Sequence, residues 1–283
     1  MTGVLEVPLD GSPYGLTVGP DKAAWVTLVH AGAIARLDGD GSTRIHPVAD
    51  GSRPSQLVTG PDGALWFTRN GDDQIGRLTT TGESAAFALP SGSAPYGLCV
   101  GPDGALWFTT MGLDGIGRIT LDGTVTLDVV ATGSPAMITT GPDGALWFTL
   151  NAANAIGRLE PATGVVTVRE VPTRSGGPVG IAATHDDAVW FTEVLADKLG
   201  RIPMDDAIQE LDMPGKPHAI VPDPVGGVWV SLWGSSQVAR VGADGDVVTI
   251  DLPADSEPHG LAVADDGALW VAMEAGFVTR FPL

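Results

Sequence analysis

The chain has 283 residues, 43% of them hydrophobic, which is enough for a substantial core in one large or two ordinary domains. No apolar run approaches the roughly 20 residues that span a bilayer. The formal net charge of -19, with a pI near 4.3, argues against nucleic acid or an anionic membrane as partner, but is compatible with a metal ion or a neutral or cationic ligand.

At the N-terminus, MTGVLEVPLDG lacks a basic region followed by an apolar one, so no secretory signal is expected and the protein is placed in the cytoplasm. Residues 4–9, VLEVPL, read as a short strand like those that close later units (FALP, DLP). From Pro13 onward a unit recurs. Trp stands at 25, 66, 107, 147, 190, 229 and 270, at intervals of 39 to 43. Each unit starts P-x-x-[LIM], turns at a G-P-D-G-A-like sequence, continues as L-W-F-T and often I-G-R, and ends in a strand near the next Pro. About 40 residues and four short strands per unit predict an all-β, seven-bladed β-propeller with four-stranded antiparallel blades. Strand A begins after the Pro, B carries the Trp, C the I-G-R, and D leads to the next unit.

The turns at Pro61-Asp62-Gly63, Pro102-Asp103-Gly104 and Pro142-Asp143-Gly144 support this division. The recurrent Trp is expected to pack between blades. Arg36, Arg77, Arg118, Arg158, Arg201 and Arg240 on strand C are expected to pair with turn carboxylates or backbone carbonyls. Cys99, the only cysteine, excludes an internal disulfide and reads as a buried, unreactive thiol. The last unit stops after FVTRFP, a strand C, so the N-terminal strand is expected to close the last blade. One domain, 1–283, follows, and a closed ring needs no second copy, so a monomer is expected.

Antiparallel pairing puts the start of A and the end of B on one face of the disc, opposite the G-P-D-G turns. After the Pro, the seven units carry Tyr14, Ser55, Tyr96, Ala136, Val179, His218 and His259. Before it they carry Ser12, Arg53, Ala94, Ser134, Gly177, Lys216 and Glu257. Four residues after the Trp stand Val29, Asn70, Met111, Asn151, Val194, Trp233 and Glu274. Ring closure brings units six, seven and one together, so His218, Trp233, Glu257, His259, Glu274 and Tyr14 converge on one sector. Two carboxylates and an imidazole suit a hard cation beside a base. The same residues also fit ordinary strand starts with surface-facing histidines, the glutamates belonging to the general acidity.

At these positions the chain resembles the virginiamycin B lyase (streptogramin B lyase) family over essentially its full length. The resemblance is carried by P-Y-G-L at 13–16, the L-W-F-T and I-G-R repeats, P-H-A-I at 217–220, Leu232-Trp233-Gly234, E-P-H-G at 257–260 and A-M-E at 272–274. It implies a lyase that linearises cyclic depsipeptide antibiotics of the type B streptogramin class, conferring resistance. The implied chemistry is elimination: a proton leaves Cα of the threonine whose side-chain oxygen forms the ester, and the carboxylate departs from Cβ. By motif, His259 would accept the proton, Glu257 and Glu274 would bind Mg²⁺, His218 would contact substrate, and Tyr14 and Trp233 would line the pocket. His30, His46 and His185 match no functional motif and read as surface or structural.

The chain departs from that family where its members commonly read W-F-T-E in several blades. Glu193 alone keeps the Glu, while Arg69, Thr110, Leu150 and Leu232 take the equivalent places and are expected to border the channel mouth, which puts substrate fit in question. Two other classes stay open: a metal-dependent propeller lactonase, which would hold its cation in a deeper acidic cage, and a non-catalytic propeller that binds a protein or sugar.

Overall fold

In a computed structural model, which describes residues 3–204 and 207–283, each repeat folds as an antiparallel sheet. Met1, Thr2, Asp205 and Asp206, part of the expected 1–283 unit, lie outside the described residues. Among the described residues the strands form seven four-stranded sheets. The A strands, from Pro13–Val18 in blade one to Pro258–Val263 in blade seven, touch their neighbours in an unbroken ring around a bore of about 560 Å³. This is the expected seven-bladed β-propeller.

Closure is also as expected. Leu5–Pro8 pairs antiparallel with Phe277–Phe281, Leu5 facing Arg280 and Pro8 facing Phe277, so the first strand of the chain is strand D of the last blade. Its buried Val7, with Leu9 just beyond it, joins Trp270 and Ala272 of blade seven and Leu28 of blade one in a single apolar cluster. The pairing thus supplies core as well as backbone hydrogen bonds.

The L-W-F-T sequence is buried at every position because strand B lies within its sheet and neighbouring blades cover both of its faces. Each Trp faces one neighbour: Trp25 packs with Leu57, Leu65 and Phe67 of blade two. In blades one to four the indole N–H donates to the turn aspartate at 3.0 Å, in the pairs Trp25–Asp21, Trp66–Asp62, Trp107–Asp103 and Trp147–Asp143. The other oxygen of the same carboxylate accepts from the strand-C arginine at 2.6 to 2.7 Å. Burial alone would raise these aspartates. The indole and guanidinium donors outweigh it and hold all four carboxyls below the usual range. Blades five to seven keep the ion pair, as Arg201–Asp186, Arg240–Asp223 and Arg280–Asp266.

The Thr of L-W-F-T links one blade to the next. Thr27 accepts from the Gly15 N–H at 2.7 Å and donates to the Ser55 carbonyl of blade two at 2.8 Å. Thr68, Thr109, Thr149 and Thr192 donate in the same way to Tyr96, Ala136, Val179 and His218. The carbonyls gripped belong to the residues that follow each Pro, so the clips set where the residues at the mouth of the bore sit. Glycine follows in blade one because a Cβ on Gly15 would lie 2.2 Å from the Ser55 carbonyl oxygen.

The residue after that Thr alternates to the opposite side of strand B. Glu193, Arg69, Thr110, Leu150 and Leu232 are therefore buried between blades, at 0 to 7% exposure, and do not border the channel mouth as expected. Both oxygens of Glu193 lack a partner. Burial, with Glu210 adding and Lys198 opposing, raises its pKa from 4.5 to about 7.

A folded-state pKa above the unfolded value means that the folded chain holds an extra proton between those limits. Stability should therefore fall as pH rises from 4.5 to about 7 and stay lower above it. Glu193→Leu, matching Leu150 and Leu232, is expected to remove that slope and raise unfolding stability near pH 8 by on the order of 2 kcal/mol. Urea titrations across this range check it, and a slope as steep as that of the parent chain would count against it.

Candidate active site

The residues compared across the repeats meet on one face of the disc. In every blade the residue before the Pro has a positive φ, from 44° in Ala94 to 60° in Gly177, with Glu257 at 51°. This left-handed turn directs its carbonyl back to the N–H of the residue four after the Trp, and Glu274 donates to the Glu257 carbonyl at 3.0 Å. Seven blades share the conformation, so it belongs to the fold. In blade seven alone it sets two glutamates side by side.

His259 follows Pro258 into strand A and is buried at 7% exposure, not surface-facing. Its Nε2 lies 2.9 Å from Oε2 of Glu274, while Nδ1 is enclosed without a partner. A carboxylate only accepts, so Nε2 is the nitrogen that carries hydrogen toward Glu274, whose side chain is 29% exposed. The His259 hydrogen bond lowers the pKa of Glu274 despite partial burial. The charge of His30 and the indole of Trp233 add to the lowering. Trp233 begins a short 3-10 turn, with the Lys216 ammonium 5.1 Å from its ring centre.

Ring closure brings blade one and blade six against this pair. The Tyr14 ring lies 4.3 Å from His259 at 33°, and His218 lies 4.4 Å from His259 edge-on. Burial, with the neighbouring His259 as a lesser cause, lowers the His218 pKa to about 3, so this imidazole is neutral at physiological pH. Tyr14 is raised well above 10 by burial first and by Tyr96 next, so its phenol stays protonated.

All six expected residues therefore lie in one sector: Tyr14, His218, His259 and Glu274 in a contiguous cluster, Trp233 beside Glu274, and Glu257 through its backbone. Two residues outside that set adjoin it. His30, read from sequence as surface or structural, is exposed at the rim and acts on Glu274 through its charge. Tyr96 meets Tyr14 hydroxyl to hydroxyl at 2.6 Å. Its signal was present in the sequence, since P-Y-G-L at 95–98 repeats P-Y-G-L at 13–16. By contrast, His46 packs tilted against Trp25 on the outer part of blade one, and His185 lies exposed in the blade-five turn.

Among the described residues no group of three or more His, Cys, Asp or Glu side chains is placed to hold a metal. The donors at hand are the carboxylates of Glu257 and Glu274, residues joined through one backbone hydrogen bond. They fit a hard cation that keeps most of its waters, as Mg²⁺ does, and not a closed nitrogen or sulfur site.

A family model described as the virginiamycin B lyase family matches residues 4–281. The virginiamycin B lyase of Mycolicibacterium smegmatis is 63% identical over 282 residues, covering 100% of both chains. That of Mycobacterium sp. (strain KMS) is 68% identical over 272 residues, covering 96% of this chain and 97% of the relative. A crystal structure of a catalytically inactive virginiamycin B lyase from Staphylococcus aureus with quinupristin superposes with a TM-score of 0.93 at 35% identity, covering 99% of each chain.

The lowered pKa of His218 has a direct check. Nitrogen-15 NMR of the imidazoles should show His218 neutral down to about pH 5, and titration of that resonance near 6.5, the ordinary histidine value, would contradict its enclosure.

Proposed function

The chain belongs to the virginiamycin B lyase family and is a lyase, and we propose that it linearises type B streptogramins by β-elimination at their ester bond. The carrying observation is His259 Nε2, 2.9 Å from a partly exposed Glu274 carboxylate that is joined to Glu257 through the backbone. A base with a balancing anion beside it suits proton abstraction next to a carbonyl.

His259 takes the Cα proton of the ester-linked threonine. The C–H electron pair becomes the Cα=Cβ bond, and the Cβ–O pair leaves with the carboxylate. Atoms balance without water, so the linear product has the mass of the substrate. Glu274 stabilises the imidazolium that forms. His218, neutral and against His259, serves as a hydrogen-bonding contact for substrate and adds no competing positive charge. Tyr14 and Trp233 line the pocket. Glu257 and Glu274 would hold Mg²⁺, which when bound supplies electrophilic stabilisation of the developing enolate. The closed ring, with its first strand already paired, supports action as a monomer, and the composition supports a cytoplasmic location.

Mass spectrometry of a type B streptogramin incubated with the protein, with Mg²⁺ or with EDTA, tests this directly. The expected product is linear, unchanged in mass and formed only with the metal. A gain of one water would instead assign hydrolysis. His259→Ala is expected to lower turnover about 100- to 10,000-fold while keeping the native circular dichroism spectrum, and retained turnover would remove His259 as the base. Glu257→Gln is expected to weaken Mg²⁺ binding in calorimetry, and an unchanged affinity would contradict its role as a ligand.

A further inference from the structure

The chain has two tyrosines, and they touch each other. Tyr14 and Tyr96 start the A strands of blades one and three, 82 residues apart, and their hydroxyls meet at 2.6 Å. Blade two lies between them in the ring. Its residue at the same place is Ser55, whose hydroxyl turns back to the Arg53 carbonyl and leaves the gap the phenols cross. Tyr96 is held firmly from its own side. Thr68 donates to its carbonyl at 2.8 Å, and the Gln56 side chain lies near enough to its phenol to act on its ionisation. The Tyr14 phenol has Tyr96 as its hydrogen-bonding partner, and the other flank of the Tyr14 ring lies 4.3 Å from His259.

The seam between blades seven and one makes this hold consequential. In blades one to five a Thr hydroxyl grips the carbonyl that follows the next Pro. Blade seven has Ala272 at that place, so no hydroxyl there reaches the Tyr14 carbonyl. Tyr14, whose ring lies tilted at 33° against His259, therefore lacks the Thr clip that five of its counterparts have, and takes its anchor through its side chain.

We propose that Tyr96 is a positioning residue for the base: its hydroxyl holds Tyr14 where the Tyr14 ring packs on the His259 imidazole and fixes that imidazole's orientation toward substrate. Thr68 in turn holds the Tyr96 carbonyl, so blades two and three contribute to a site whose reacting groups lie in blades six, seven and one. The role rests on the lyase function proposed above, while the contact itself does not.

Tyr96→Phe removes one oxygen and keeps the ring. With a type B streptogramin it is expected to lower kcat about tenfold and leave KM within about twofold, because a misaimed base slows chemistry more than binding. In a Tyr14→Phe background the same change is expected to cost less than about twofold, since the bond is already lost from the other side. An unchanged kcat in Tyr96→Phe would overturn the proposal. So would an equal tenfold loss in both backgrounds, which would mean that Tyr96 acts without Tyr14. Carbon-13 NMR of tyrosine labelled at Cζ gives a readout independent of turnover. The parent chain should show two resonances, and Tyr96→Phe should leave one, Tyr14, displaced from its parent position. If the parent chain opens no streptogramin, the substrate assignment fails, and an undisplaced Tyr14 resonance would separately sink the hold.

Discussion

Four residues near the N-terminus, Leu5–Pro8, hydrogen-bonded along Phe277–Phe281, are the contact on which everything else rests. The pairing joins the two ends of the chain, so its loop-closure entropy is the largest any contact here can carry. It is repaid by a full set of strand hydrogen bonds and by the apolar cluster that Val7 and Leu9 share with Trp270 and Leu28. Without it, blade seven would lack its outer strand and blade one would have no fixed neighbour on one side. His259 and Glu274 would then not meet Tyr14. The active site is a product of ring closure before it is a product of any one motif.

The repeats divide the work between constancy and exception. What recurs is local and redundant: an Asp–Arg pair in every blade, an indole on the Asp in blades one to four, and a Thr hydroxyl between blades in one to five. The Asp–Arg pairs are partly exposed and individually modest, so no single blade is decisive. What varies lies where strand A starts and strand B ends, the one rim that the repeat geometry turns toward the bore. A propeller can change those side chains without disturbing the Thr clips, because the clips grip backbone carbonyls there and not side chains. Blade seven uses that freedom most fully, with Glu257 before its Pro, His259 after it and Glu274 against the histidine.

Burial tunes the groups that result. His218 and His259 are adjacent, and if both carried a proton they would repel in a poorly solvated place. Enclosure removes the conflict by keeping His218 neutral, while Glu274 gives His259 an anion to face. Glu193 shows the opposite case, a buried carboxylate without a donor, which costs stability and has no part in the site.

The sequence alone determined the blade count, the strand order, the role of Leu5–Pro8 and the sector where the exceptional residues gather. Period, turn chemistry and alternation are local properties, and ring order follows from chain order. Pairing of the strand-C arginines with turn carboxylates was one of two readings the sequence offered, since Asp and Arg recur at fixed spacing within a blade, and the structure selects it. Tertiary structure decided what depends on distances across the ring or on the side of a strand within the interblade layer. Tyr96 was one of seven aligned residues, but nothing in chain order says that blade three reaches over Ser55 to blade one. Glu193 was assigned to the mouth because it ends strand B, and only the alternation as packed against blade four buries it. His259 looked surface-facing until Tyr14 and His218, 245 and 41 residues away in the chain, closed around it. Reach across a bore, and enclosure by residues from other blades, are set by the radius of the closed ring, which no local stretch of sequence encodes.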